Sequence, residues 1–202
     1  MKPDPDHYYS EAPQSRARFG VVRTCLRGKT FEFTTASSVF SVKRIDPGTR
    51  VLIESMLLPE RGCVLDIGCG YGVIGIVAAK LRPELNVIMT DVNRRAVLLS
   101  RQNAEKNRTL NVEVHQGSLY TPISGTCFDC VLSNPPVSAG MQTVEEIIRG
   151  APAVMKKKAT FQMVLRSKIG RKILPQVFTE AFGNFKVEAR ESGYRVLMAE
   201  QQ

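Results

Sequence analysis

The stretch Val64-Leu65-Asp66-Ile67-Gly68-Cys69-Gly70-Tyr71-Gly72-Val73-Ile74-Gly75 decides the fold. An apolar run of strand length breaks into a glycine-rich turn and re-enters an apolar run of helical character. Open α/β sheets present a cofactor at a strand's carboxyl end in this way. Gly68, Gly70, Gly72 and Gly75 let backbone approach a ligand closely. Because Gly70, Gly72 and Gly75 also satisfy the dinucleotide spacing G-x-G-x-x-G, the glycines alone do not name the ligand. Asp66 discriminates: a carboxylate at the strand's end repels a pyrophosphate and suits a cationic ligand.

The next strand, Asn86 to Thr90, ends in Asp91. That acid stands about twenty residues beyond the turn, where a carboxylate accepts both ribose hydroxyls of an adenosine. Asp91 or Asn93 can also cap the helix expected over Asn93 to Lys106. Asp66 and Asp91 together point to a nucleoside bearing an ammonium and a sulfonium, S-adenosylmethionine, rather than to NAD. Val112 to His115 is a third strand, with Gly117-Ser118-Leu119 at its end near the adenine. His115 has no sequence partner that would make it a base or ligand and reads as structural.

A fourth strand, Cys127 to Leu132, runs into Ser133-Asn134-Pro135-Pro136-Val137. Consecutive prolines offer carbonyls without N–H donors and hold a rigid extended turn. The Asn134 side-chain carbonyl and the Pro135 backbone carbonyl give two acceptors for a group with two N–H bonds, such as an exocyclic amine on a base.

A helix over Thr143 to Met155, the run Lys156-Lys157-Lys158 and a strand over Ala159 to Leu165 follow. Arg166, Lys168, Arg171 and Lys172 come next, on the same sheet edge as the glycine turn, because parallel strands with right-handed crossovers end on one side. Phe185 to Ala189 and Tyr194 to Ala199 flank a turn and pair antiparallel. Upstream, residues 1–18 form an arm carrying His7, Tyr8 and Tyr9, with Phe19 beside it. Val21 to Leu26 and Thr30 to Thr34 form a hairpin, and a helix over Thr49 to Leu58 is capped by Asp46 with Pro47 at its first position. The class is α/β: a mostly parallel seven-stranded sheet with an antiparallel last strand. Residues 1–50 are the arm and hairpin extension, and residues 51–202 one compact unit.

The chain has 202 residues, 43% hydrophobic, enough for a single core. Its net charge of +9 is unevenly placed: nine Lys/Arg against five Asp/Glu in residues 1–50, nine against ten in 51–150, ten against four in 151–202. Basic flanks around a neutral middle suit a polyanion. Five scattered cysteines fit reduced thiols, and Cys127-x-x-Cys130 alone does not suggest zinc, so no metal is expected. No stretch has the length of a membrane span, and a soluble, cytoplasmic protein is expected.

With these motifs in view, the chain resembles class I S-adenosylmethionine-dependent methyltransferases, and more narrowly the ribosomal RNA small-subunit methyltransferase C, or methyltransferase small domain, family. The resemblance rests on Ala36 to Thr49, Asp66 to Gly72, Asp91-Val92-Asn93, Ser133 to Val137 and Gly140-Met-Gln-Thr. It implies a Rossmann-like methyltransferase fold. It also implies S-adenosylmethionine held by Asp66, Gly68, Cys69, Gly70, Tyr71, Gly72, Asp91, Val92, Ser118, Leu119 and Asn134. Asn134, Pro135 and Pro136 would meet the target amine, and Arg166, Lys168, Arg171 and Lys172 an RNA. Two positions depart from the pattern. Ser118 stands where relatives often carry an acid for the adenine amine, and Val137 where they often carry an aromatic that stacks on the base, leaving base clamping to other residues such as the N-terminal aromatics. The expected reaction is methylation of a guanine N2 in small-subunit ribosomal RNA. Adenine N6, transfer-RNA guanine N2 and protein glutamine N5 use the same kind of turn; a nucleotide-dependent oxidoreductase and a non-catalytic RNA-binding module are the competing classes.

Overall fold

The computed structural model describes residues 11, 16–41, 43–123 and 125–202; His7, Tyr8 and Tyr9 lie outside them. Strand β1 (Phe19–Leu26) and β2 (Lys29–Ala36) form the expected hairpin. Helix α1 (Pro47–Ser55) begins as expected, with the Asp46 side chain accepting from the Thr49 N–H and proline in the first turn. It stops short of Leu58 because Arg27 Nη1 takes the carbonyls of Ile53, Glu54 and Met56, closing the last turn.

The main sheet is built from β3 (Gly62–Ile67), β4 (Leu85–Asp91), β5 (Val112–Gln116), β6 (Phe128–Ser133), β7 (Met155–Arg166), β8 (Lys186–Glu191) and β9 (Tyr194–Glu200). Its order is β5-β4-β3-β6-β7-β9-β8. The pairs from β5 through β7 are parallel, whereas β9 runs antiparallel to both β7 and β8. Chain order therefore reverses between β3 and β6, and ligands of open α/β sheets bind in the crevice at that switch. Helix α2 (Val73–Leu81), α3 (Arg94–Lys106) and α1 share one apolar core with the hairpin. Helix α4 (Met141–Gly150) and α5 (Leu174–Phe182) cover the other face. No helix among the described residues is long and apolar enough to cross a membrane.

Two expected elements differ. The helix expected over Thr143 to Met155 ends at Gly150 and gives way to a tight turn, Ala151–Val154, because Pro152 has no N–H to continue the helical ladder. Lys156, Lys157 and Lys158 do not precede the strand. They are exposed residues within β7, where the pairing with β6 shifts register between Phe128 and Cys130. Cys127 is exposed ahead of β6, and Cys130 is buried within it.

The hairpin is fixed by two asparagines one turn apart, Asn103 on α3 and Asn107 capping its C-terminal end. Asn103 accepts from the Thr34 N–H at 2.7 Å and donates to the Thr34 carbonyl at 2.9 Å; Asn107 treats Glu32 likewise at 3.2 and 2.9 Å. Two side-chain amides thus stand in for a neighbouring strand along the open edge of β2. Asn103→Ala leaves the Thr34 groups and the Tyr71 carbonyl unpaired in a buried setting, so a loss of about 2 kcal/mol in urea unfolding is expected. Hydrogen exchange should show the Thr34 amide losing its protection.

Candidate active site

The turn after β3 is held from below. The N–H groups of Gly68 and Cys69 both donate to the Thr90 carbonyl, at 2.9 and 3.0 Å, and Gly70 N–H donates to Asp91 Oδ2 at 2.8 Å. Gly68, Gly70 and Gly72 have φ of 72°, 59° and 92°, left-handed values that favour glycine. Asp91 Oδ1 accepts from the Asn93 N–H, and Asn93 alone of the two candidates caps α3, through the N–H groups of Arg95 and Ala96. Asp91 is thereby oriented and still borders the cavity above the turn.

That cavity, about 240 Å³, brings together residues from four strand ends. Gly68 and Gly70 follow β3, Asp91 and Val92 end β4, Ser118 and Leu119 follow β5, and Asn134, Pro135 and Pro136 follow β6. A second recess of about 30 Å³ adjoins it, where Cys69 and Tyr71 meet Asp46 and Asn134. Their side chains are otherwise engaged: the Tyr71 hydroxyl donates to the Ser41 carbonyl, and the Cys69 sulfur lies 3.6 Å from Ser100 Oγ. A third cavity, about 140 Å³, is bordered by Asn134, Pro135, Val137, Arg166, Tyr194 and Phe40 among others. Asn134 and Phe40 border all three.

Asp66 and Gly72 border none of the cavities. Gly72 starts α2, where a side chain would meet Ile76 at 2.9 Å. Asp66, expected at the strand's end to face a cationic ligand, is fully buried beneath the turn; its Oδ2 accepts from Gly75 N–H at 2.8 Å, and its Oδ1 has no partner among the described residues. The central strand is covered on both faces, and Asp66 points into one of them. Burial, with Asp91 adding to it, raises the Asp66 carboxyl to about 7; burial raises Asp91 to about 6.

Asn134 is set by partners far away in sequence. Its Nδ2 donates to Asp46 Oδ2 at 3.1 Å and to Thr49 Oγ1 at 2.9 Å, which leaves its carbonyl oxygen facing the cavities. The Pro135 carbonyl already accepts from the Val137 N–H at 2.9 Å and keeps one lone pair. Asp46 was legible as a helix cap, but its grip on Asn134 carried no sequence signal. The aromatics near Val137 are Phe40 and Tyr194. Tyr194 had one: it opens an antiparallel strand, and such a strand begins where its parallel neighbours end.

Arg166 at the end of β7 and Lys168, Arg171 and Lys172 on the turn after it are all exposed, and Arg166 lies 5.6 Å from the centre of the Tyr194 ring. Arg195 anchors that turn through the Ile169 carbonyl. Its guanidinium Nε is buried without a partner among the described residues, and burial together with Arg190 and Arg171 holds Arg195 below its ordinary pKa. The rim is a cationic patch.

The methyltransferase small domain family pattern matches residues 30–198. The chain is 37% identical over 198 residues to the uncharacterized protein YbxB of Bacillus subtilis, covering 97% of this chain and 98% of that one. It is 32% identical over 169 residues to ribosomal RNA small subunit methyltransferase C of Erwinia tasmaniensis, covering 82% of this chain and 48% of the relative. It thus spans about half the length of that relative. A solved T. thermophilus 16S rRNA N2 methyltransferase in complex with AdoMet and guanosine superposes with a TM-score of 0.83 at 23% identity, over 94% of this chain and 52% of that one.

The two buried carboxyls set a stability profile. An acid raised from 3.8 to about 7 keeps its proton in the folded state while the unfolded chain has lost it. Its contribution is therefore complete below about pH 4 and is lost as pH rises towards 7. Asp66→Asn, which cannot ionise, should melt above wild type at pH 8 in scanning calorimetry, with the gap closing towards pH 4. A constant gap across that range would remove the titration of Asp66 from the account.

Proposed function

This chain belongs to the methyltransferase small domain family, and from that premise we propose that it methylates the exocyclic N2 of a guanine in small-subunit ribosomal RNA, with S-adenosylmethionine as donor. The observation that carries the proposal is the setting of Asn134. Its amide hydrogens are taken by Asp46 and Thr49, so its carbonyl is free for a substrate at the meeting point of three cavities.

The residues present fit S-adenosylmethionine. A side chain built on Gly68 or Gly70 would meet nothing within 4 Å, so bare backbone faces open space there. Asp66 Oδ1 is an orphaned buried oxygen, and a cation above the turn would relieve the unfavourable burial of both carboxyls. Asp91 would hold the ribose hydroxyls with the lone pairs left by Gly70 and Asn93, with Val92 beside it. Ser118 and Leu119 would flank the adenine; Ser118, being uncharged, leaves its amine to backbone or water. Gly68 to Gly72 would back the methionine portion. When bound, the cofactor supplies an electrophilic methyl group on its sulfonium.

An amine conjugated to a purine is a weak nucleophile because its lone pair is delocalised. Asn134 Oδ1 and the Pro135 carbonyl would accept its two N–H bonds, favouring a pyramidal nitrogen whose lone pair points at the methyl carbon. Asn134 Oδ1 and the Pro135 carbonyl would hold the two N–H bonds while the methyl group passes from sulfur to nitrogen, the C–S bonding pair staying on sulfur, and the nitrogen's surplus proton would pass to water. Pro136 keeps the turn rigid, so the rate would come from alignment and preset acceptors. The base must leave its stack to enter, and the exposed cations after β7 would hold the phosphates around it. The names and folds of the relatives support a ribosomal RNA substrate.

Asn134→Ala should lower methyl transfer by about 100-fold or more while the affinity for S-adenosylmethionine stays nearly constant. Turnover is read on unmodified ribosomal RNA with labelled cofactor, and mass spectrometry of the nucleosides identifies the product. N2-methylguanosine is expected, and any other methylated nucleoside would refute the assignment. Reversing the charges of Arg166, Lys168 and Arg171 should weaken RNA binding and flatten its dependence on salt. An unchanged slope would take that patch off the phosphates.

A further inference from the structure

We propose that Asp46 reads the target base: its carboxylate and the Asn134 carbonyl form a side-by-side pair of acceptors that takes the N1–H and N2–H of guanine and rejects a purine whose N1 carries no proton. This rests on the methyltransferase reading of the same site and goes further by naming what selects the base. Methyl transfer as derived above uses Asn134 and Pro135, with Asp46 Oδ2 holding the Asn134 amide, and leaves the other carboxylate oxygen, Asp46 Oδ1, without a role.

Asp46 Oδ2 is committed, accepting from the Thr49 N–H at 3.0 Å and from Asn134 Nδ2 at 3.1 Å. No donor among the described residues reaches Asp46 Oδ1, and Asp46 borders both the second and the third cavity. Asn134 and Asp46 border the same third cavity, and each keeps one oxygen, Asn134 Oδ1 and Asp46 Oδ1, that meets no donor among the described residues. Guanine carries N1–H and N2–H side by side on its Watson–Crick edge, two donors against two acceptors. Adenine places a lone pair at N1, and a carboxylate opposite a lone pair is repulsive.

The base also needs a surface for its ring. Tyr194 pairs with Arg166 across β7 and β9 and stands beside α1. Gly48 is what lets ring and carboxylate converge: a side chain there would lie 2.8 Å from the Tyr194 ring and 2.9 Å from Asp46 Oδ2. Tyr194 and Phe40 thus supply the aromatic faces that Val137 lacks, with the acceptor pair at the inner end.

The test measures nucleoside binding to the full chain by calorimetry, with and without S-adenosylhomocysteine. Guanosine should bind about tenfold or more tightly than 2-aminopurine riboside, which has the amine but no N1 proton, and than adenosine. In Asp46→Asn the side-chain oxygen keeps Thr49 and Asn134 while an N–H2 replaces the acceptor facing the cavity, so the order of guanosine and 2-aminopurine riboside should reverse. Affinity for S-adenosylhomocysteine should change little. Absent guanosine binding, equal binding of guanosine and 2-aminopurine riboside, or an unreversed order in the variant overturns the proposal. Lost S-adenosylhomocysteine binding in a folded variant also overturns it, by assigning Asp46 to the cofactor. Should the variant fail to fold, the wild-type comparison decides alone. A wild-type chain that prefers guanosine yet binds no S-adenosylhomocysteine keeps the base reading and loses the methyltransferase one.

Discussion

A single carboxylate oxygen, Asp46 Oδ2, accepts from the first turn of α1 and from the Asn134 amide at once. The chemistry of the site depends on that shared acceptor. An unrestrained asparagine amide turns over readily and would present donors as often as an acceptor. Held by Asp46 and by Thr49 Oγ1, Asn134 can present only its carbonyl to the cavities. The same bond ties α1 to the end of β6, two elements that are distant in sequence, so the capping geometry of a nine-residue helix also orients the Asn134 amide at the edge of the cavities.

The sheet topology decides which residues can reach that point. Chain order reverses between β3 and β6, so the connections after those strands leave towards opposite sides and open the crevice bordered by Gly68 and Asn134. Because β9 runs the other way, its first residue, not its last, lies on this edge. Tyr194 therefore stands across from Arg166, the last residue of β7. One reversed strand thus adds an aromatic ring to an edge whose parallel strands end in glycine, acid and proline turns.

Much of this was legible because the signals are local. The glycine turn, Asp91, the Asn134-Pro135 turn and the Asp46 cap each lie within a few residues of the strand or helix they punctuate, and the structure brings these motifs to one sheet edge. Longer-range pairing was not legible. Asn103 and Asn107 look like ordinary helix residues until their amides meet the backbone of β2, and Asp46 looks like a cap until it meets Asn134. The direction of Asp66 was not legible for a different reason. A strand buried on both faces shows no alternation of apolar and polar residues to reveal which way a side chain points, and the Asp66 carboxylate lies buried beneath the turn.

The placement of charge argues that this edge is shaped by ligands as well as by stability. Asp66 is buried beneath the turn and Asp91 half-buried beside it, with backbone N–H donors but no cation among the described residues, and desolvation raises both. On the rim, Arg195 is buried near Arg190 and Arg171, which depress it further, and its Nε has no acceptor among the described residues. Each group is held in a state that costs free energy. Pairing these acids with these arginines would remove both costs, yet they are kept apart on one edge. A cationic ligand over the turn and a polyanion along the rim would neutralise the two sets separately, and the uncompensated charge of the free protein would then become binding energy for both.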